Sequence, residues 1–110
     1  MTKYDAGRRF EWQVRDDMIL NGYDVVRSAG SKSKIDLCCF KQGQVLLVQA
    51  KAHGGPLPPA ERSELIRIAA LIGATPLHAY KPARGRLAYR ELTGQGPGMW
   101  QPWTTDQAAP

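Results

Sequence analysis

Apolar residues recur with a helical period near the start of the chain and alternate with polar residues further along it. Val14 and Met18 lie on one stripe of a predicted amphipathic helix over residues 4–21, and a second helix is expected to pack Leu65 and Ile72 on a sheet. The predicted order is helix 4–21, strand 23–27, strand 35–41, strand 44–51, helix 60–72, strand 75–80 and strand 86–92. This order favours an α/β fold in which a central mixed five-stranded sheet is flanked by helices.

The end of the chain has a different composition. Residues 1–92 are predicted to form a single domain, and residues 93–110 a tail that contains Gly, Pro and Trp. Trp100 and Trp103 favour burial because a tryptophan ring is costly to leave in water. The sequence leaves three docking places open for them: the core, a second subunit, or DNA.

The most informative polar residues lie in the hairpin predicted over residues 35–51. Gln42-Gly43 suit a tight turn, across which the numbers of facing residues sum to 85. Asp36 then lies opposite Gln49 on the same face of the sheet, and Lys51 shares that face because it is two positions further along. A carboxylate, an amide and an ammonium thus converge where the pattern otherwise predicts a core.

Glu11 contributes a second carboxylate, and it interrupts the apolar stripe of the first helix. A carboxylate in that position needs a cation, and the alternatives are an ion pair with Arg15 at i+4 or a metal ion. The candidate metal ligands, all oxygen donors of the kind that Mg²⁺ prefers, are Glu11, Asp36, Gln49 and the carbonyl of Ala50. Lys51 would then stabilise negative charge on a scissile phosphate or help to position the attacking water.

Basic residues outnumber acidic ones. The chain of 110 residues has 15 Lys and Arg against 10 Asp and Glu, a formal net charge of +5, which favours nucleic acid as a partner, with solubility as the alternative. The candidate DNA-binding residues in or beside the site segments are Arg8, Arg9, Lys32, Lys34 and His53. An exposed helix face is the alternative for the two arginines, and a plain loop position is the alternative for His53.

Several classes of protein do not fit the sequence. No apolar stretch approaches the roughly 20 residues that cross a bilayer, and no signal peptide is visible, so no membrane partner is expected. Cys38 and Cys39 point to opposite faces of one strand and are expected to be reduced. Such thiols suit the cytoplasm of a prokaryote, or of a host cell if the chain is virus-encoded. No phosphate-binding loop or dinucleotide-binding pattern is present, so no nucleotide cofactor is expected.

The spacing of the site residues resembles one known family. The matching segments are Gly7 with Glu11, Gly22-Tyr23-Asp24-Val25-Val26-Arg27-Ser28, Gly30-Ser31, Asp36-Leu37 and Val48-Gln49-Ala50-Lys51. Over residues 4–53 the chain looks like the archaeal-type Holliday junction resolvases of the PD-(D/E)XK nuclease superfamily, whose fold has a restriction-endonuclease-like core. The resemblance implies a homodimeric, Mg²⁺-dependent endonuclease, with Mn²⁺ as a substitute ion, that resolves branched DNA by paired symmetric nicks at four-way junctions.

The resemblance also implies roles for individual residues. The implied catalytic residues are Glu11, Ser31, Asp36, Gln49 and Lys51, of which Glu11, Asp36 and Gln49 match metal-site positions and Lys51 the catalytic lysine. Ser31 matches a serine that the family places near the scissile phosphate in a mobile loop. Arg27-Ser28 match an Arg-Ser motif, which would contact DNA.

Gln49 departs from the family pattern, which usually has Glu at this position. The loss of charge lowers the electrostatic attraction for Mg²⁺, and the side chain must then bind through its amide oxygen. Two alternatives follow from this departure. One is a broader restriction- or repair-type nuclease with a Gln-x-Lys motif, and the other is a non-catalytic DNA-binding domain with a degraded nuclease site.

Overall fold

The helices and strands lie close to their predicted positions in a computed structural model of the chain, which describes residues 3–28, 35–82 and 85–105, with side chains from residue 6 onward. The helices are α1 (Lys3–Leu20) and α2 (Pro59–Ile72), and the strands are β1 (Asp24–Arg27), β2 (Leu37–Lys41), β3 (Gln44–Ala50), β4 (Thr75–Tyr80), β5 (Ala88–Leu92) and β6 (Trp100–Trp103). Each predicted element is present. Within the described ranges, no helix is both long and apolar enough to cross a membrane.

Within the described residues, the strands form one six-stranded sheet whose spatial order equals the chain order, β1 to β6. The β3–β4 pair is parallel, and the other pairs are antiparallel. The predicted α/β fold with a mixed sheet and flanking helices is therefore confirmed. The predicted count of five strands is one short, because the sequence pattern does not reveal β6, a four-residue edge strand that contains Pro102.

The two helices cover opposite faces of the sheet. Phe10, Val14 and Met18 of α1 belong to one buried cluster together with Val48 of β3, whereas Leu47, the preceding residue of β3, belongs to the cluster formed with α2. This division follows from the two-residue period of a strand. Cys38 and Cys39 likewise face opposite clusters, and both are free thiols, as predicted.

The hairpin formed by β2 and β3 has the predicted register. Leu37 faces Val48 and Lys41 faces Gln44 across the turn, so each pair sums to 85. Gly43 takes a φ of 78°, a left-handed conformation that glycine adopts without steric cost. The same register, extended by one residue, brings Asp36 opposite Gln49.

The two tryptophans near the end of the chain dock on the core, the first of the three predicted alternatives. Trp103 is buried on the α1 side, and its ring meets that of Tyr89 edge-on with centroids 5.4 Å apart. Trp100 packs against the cluster on the α2 side. The chain thus continues into the sheet beyond residue 92, and the predicted division into a domain over 1–92 and a tail over 93–110 stays a prediction. Residues 106–110 lie outside the described ranges.

The inner face of α2 begins one turn earlier than predicted. Leu65 is buried as expected, but Ile72 is 54% exposed. Arg62 is buried on the inner face of α2 instead. The Arg62 guanidinium donates to the carbonyl oxygens of Gly94 at 3.3 Å and Pro97 at 3.5 Å. Because these bonds satisfy a buried charge, α2 tolerates an arginine on its inner face and holds the segment that leads to β6.

Candidate active site

Asp36 is fixed at the point where the β2–β3 hairpin opens. Its backbone N–H donates to the Val48 carbonyl at 3.0 Å, and its own carbonyl accepts from the Ser28 N–H at 2.9 Å. The side-chain oxygen Oδ2 accepts from the backbone N–H of Ala50 at 2.8 Å. The carboxylate is therefore held at the carboxyl end of β3, beside the two residues that flank Ala50.

The environment of Asp36 favours its protonated form. The pKa of Asp36 is raised to about 6, mainly by burial, and the hydrogen bond from Ala50 opposes this rise. The negative charges of Glu11 and Glu61 contribute to the raised pKa, and the positive charge of Lys51 acts against it. Both glutamates and the lysine thus lie near enough to Asp36 for their charges to act on it.

Gln49 lies on the face of β3 that α2 covers, and it is only 4% exposed. Its Nε2 lies 3.5 Å from Oε1 of Glu61, at the outer limit of a hydrogen bond. Its Oε1 has no hydrogen-bond partner among the described residues. A buried amide oxygen without a donor is unusual in a folded protein.

Glu61 of α2 lies against Gln49 and Lys51, although it is not among the site residues predicted from the sequence. Its Oε1 also lies 3.5 Å from Nζ of Lys51, and the two side chains are 17% and 35% exposed, respectively. Its other oxygen, Oε2, is buried without a hydrogen-bond partner in the described part of the chain. The sequence does contain a signal: a short connection leads from β3 to α2, so the first turn of α2 returns to the end of β3, and Glu61 lies in that turn.

Glu11 lies at the edge of the cluster, and its ion-pair partner is not the arginine expected from the sequence. Its Oε1 accepts from Nε of Arg27 at 3.1 Å, whereas Arg15 pairs with Asp16 at 3.0 Å. The expected alternative of a Glu11–Arg15 ion pair is therefore wrong, because β1 presents an arginine to the helix. Glu11 still acts on Asp36 through space, as its effect on the pKa of Asp36 indicates.

The donors at this position suit a hard cation. No group of three or more His, Cys, Asp or Glu side chains that could hold a metal occurs within the described residues. Carboxylates from Asp36 and Glu61 and the amide oxygen of Gln49 make a mixed set, and two of its oxygens have no partner in the described chain. Mg²⁺ takes oxygen ligands from one or two carboxylates and keeps several waters, so this set fits it.

The predicted DNA-binding residues are only partly accounted for. Arg9 is exposed on α1, and Arg8 beside it is half-buried. Arg27 and Ser28 lie at the end of β1, close to Asp36. His53 is exposed, with Nδ1 accepting from the Gly55 N–H at 3.1 Å. Ser31, Lys32 and Lys34 lie outside the described residues, and the predicted DNA-binding and catalytic roles of all these residues stay predictions.

A buried histidine lies beside Gln49, on the neighbouring strand β4. His78 of β4 pairs with Gln49 of β3 and is fully buried. The pKa of His78 is lowered to about 4, mainly by burial and also by the positive charge of Arg90, while the backbone of Lys51 opposes part of this change. His78 is therefore neutral near pH 7 and adds no charge to the site.

Comparison with known proteins supports the architecture. No protein-family model matches the sequence, and no curated protein matches it significantly. Among solved structures, the chain is similar to Hjc, a Holliday junction resolvase from the archaeal hyperthermophile Archaeoglobus fulgidus, with 23% sequence identity. The match covers 82% of this chain and 80% of that chain, with a TM-score of 0.67. The chain therefore has the fold of that Holliday junction resolvase.

Proposed function

We propose that this protein is a Mg²⁺-dependent, structure-selective DNA endonuclease that resolves four-way junctions by paired symmetric nicks. The observation that carries the proposal is the cluster at the carboxyl end of β3. There Asp36, Gln49 and Lys51 meet, on a fold shared with a Holliday junction resolvase. The fold alone does not give an activity, so the proposal depends on this group of side chains.

The cluster has the parts that phosphodiester hydrolysis requires. Asp36 and Gln49 would hold the ion, with Glu11 and the Ala50 carbonyl as further predicted ligands, and Mn²⁺ is expected to replace Mg²⁺. Bound there, the ion would supply charge stabilisation and an activated water. The Lys51 ammonium is partly exposed, and in this position it stabilises negative charge on the phosphate as the bond to the leaving oxygen breaks.

The charge of the chain supports a DNA substrate. A net charge of +5 attracts a polyanion, and Arg9, Arg27 and Lys51 lie on or beside the elements that form the site. A four-way junction has two equivalent scissile strands, so a two-fold symmetric homodimer would supply one site for each. The proposed place of action is the cytoplasm of a prokaryote, or of a host cell for a virus-encoded chain.

The test uses an end-labelled synthetic four-way junction and a linear duplex of the same sequence as control. With Mg²⁺ the wild type is expected to make paired nicks in the junction and to leave the duplex intact. Asp36→Asn should abolish cleavage and retain binding, because the change removes a ligand charge and keeps an acceptor for the Ala50 N–H. Lys32→Ala should mainly weaken junction binding and reduce its salt dependence.

The outcomes separate the proposal from its alternatives. Equal cleavage of junction and duplex would favour the broader restriction- or repair-type nuclease. Junction binding without cleavage at any Mg²⁺ or Mn²⁺ concentration would contradict the proposal of an enzyme.

A non-catalytic DNA-binding domain is the second candidate, and Gln49 is the observation that favours it. The neutral amide provides no charge for a metal at the position where the family usually has a carboxylate. If Gln49→Glu gains no metal-dependent cleavage, and the wild type binds junctions without cutting them, this second candidate is correct. Cleavage by the wild type excludes it.

A further inference from the structure

We propose that Glu61 supplies the second carboxylate of the metal site, in the place of the charge that Gln49 lacks. The inference rests on the proposed function, because it names a ligand for the ion which that function requires. It goes further because it assigns a ligand to α2, and none of the site residues predicted from the sequence lies in that helix.

The position of Glu61 is the first argument. Its Oε1 lies 3.5 Å from Nε2 of Gln49 and 3.5 Å from Nζ of Lys51. The carboxylate is thus in contact with both members of the predicted Gln-x-Lys pair. Its charge also acts on Asp36, which places Glu61 within reach of the third member of the cluster.

Two oxygen atoms without donors are the second argument. Oε2 of Glu61 and Oε1 of Gln49 are both buried, and neither has a hydrogen-bond partner among the described residues. The Gln49 side chain that carries one of them is 4% exposed. An unsatisfied buried acceptor costs about 1 to 3 kcal/mol, and more when it is charged, so a group that binds both oxygens would be stabilised there. A cation is such a group.

The balance of charge is the third argument. Glu11 is neutralised by Arg27, so the charges that the described residues leave at the centre are those of Asp36, Glu61 and Lys51. With Glu61 the centre carries one excess negative charge, and without Glu61 it would carry none. An ion pair between Glu61 and Lys51 alone would satisfy one carboxylate oxygen and leave Oε2 and the amide oxygen of Gln49 without partners among the described residues.

The inference can be tested by measuring Mn²⁺ binding directly. Titration of the full chain with Mn²⁺, followed by the electron paramagnetic resonance signal of the free ion, gives a dissociation constant without any cleavage reaction. The variants are Glu61→Gln, the double variant Gln49→Glu with Glu61→Gln, and Glu64→Gln as matched control. Glu64 lies on the same helix and pairs with Arg67.

Glu61→Gln is expected to weaken Mn²⁺ binding by at least about tenfold. Loss of a residue that only supports a metal ligand already lowers metal affinity by about tenfold or more, so loss of a ligand should cost at least as much. The double variant should regain most of the lost affinity, because it returns a carboxylate to the site from β3. Glu64→Gln should bind as the wild type does. Unfolding curves without metal show whether each variant is folded, and the double variant tests the ligand position even if Glu61→Gln alone is unstable.

The possible failures are distinguishable. If Glu61→Gln binds Mn²⁺ as tightly as the wild type and the wild type cuts junctions, the inference is wrong and the proposed function stands. If the wild type binds Mn²⁺ through Glu61 but cuts no DNA, the ligand assignment stands and the proposed function is wrong. A wild type that binds no Mn²⁺ contradicts both.

Discussion

The half-buried carboxyl group of Asp36 and the buried imidazole of His78 give the metal-free protein opposite responses to pH, and each response can be isolated by one substitution. The pKa of Asp36 is raised from its ordinary 3.8 to about 6, so the folded state holds that proton more tightly than the unfolded chain. The resulting stability is present below pH 3.8 and is lost as the pH rises through about 6. The pKa of His78 is lowered from 6.5 to about 4, so its stability is present above pH 6.5 and is lost as the pH falls through about 4.

The two effects are similar in size. One pKa unit corresponds to about 1.4 kcal/mol, so the rise for Asp36 and the fall for His78 each change the free energy of unfolding by about 3 kcal/mol. Their pH windows overlap, and their signs are opposite. We therefore expect these two contributions to cancel almost completely in the wild type between pH 4 and pH 6.5.

The measurement is urea unfolding followed by tryptophan fluorescence at several pH values, in a buffer with a chelator so that no metal occupies the site. Asp36→Asn should be close to wild-type stability at pH 4 and more stable than the wild type by about 3 kcal/mol above pH 6. His78→Leu should show the reverse trend, with its stability relative to the wild type rising by about 3 kcal/mol as the pH falls from 6.5 to 4. If either difference is independent of pH over this range, the environment assigned to that side chain is wrong.

Three further predictions concern the packing of the sheet and its helices. Trp103→Ala should lower the free energy of unfolding in urea by about 3 to 5 kcal/mol, because it opens a cavity and removes the edge-on ring contact with β5; a loss below about 1 kcal/mol would contradict the docking of β6 on the core. Arg62→Ala should lower the free energy of unfolding by about 2 kcal/mol or more, because it leaves two backbone acceptors unpaired. As a control, Arg67→Ala on the exposed face of α2 should change the free energy of unfolding by less than about 0.5 kcal/mol. Equal losses in the two variants would contradict the role of Arg62. Burial raises the pKa of Cys39 to about 12, so an alkylating reagent at pH 8 should modify Cys38 first in the native protein and leave Cys39 unmodified. Peptide mass spectrometry identifies the modified residue. Early modification of Cys39 would contradict its burial.

The hairpin geometry could be predicted from the sequence because it depends on local rules. A tight turn at Gln42-Gly43 fixes the register of the facing residues, and the register fixes which face each side chain occupies. The convergence of Asp36 with Gln49 follows from that arithmetic without any knowledge of the rest of the fold. The opposite orientations of Cys38 and Cys39 follow from the same period.

The contacts that the sequence did not reveal all join distant segments. Arg27 reaches Glu11 from another element, and no local pattern favours it over Arg15 four residues away on the helix. Glu61 reaches the site because α2 begins shortly after β3 and packs with its first turn beside the end of that strand. The short strand β6 contains a proline and follows a glycine-rich segment, so its pattern resembles a loop until Trp103 has a core to bind.

The parallel pairing of β3 with β4 has a consequence for the order of folding. Every other strand pair in the described sheet joins neighbours over a short connection, whereas this pair must wait until residues 51–74, including α2, have closed back on β3. Closing a longer segment loses more chain entropy, so we expect it to be the slow step in forming the sheet. The packing of α2 against β3 within this crossover brings Glu61 to Gln49. A chain that has not completed the crossover would therefore have the half of the site that the hairpin forms, but not the carboxylate of Glu61. The ability to bind a metal ion would then arise together with the last long-range contacts of the fold.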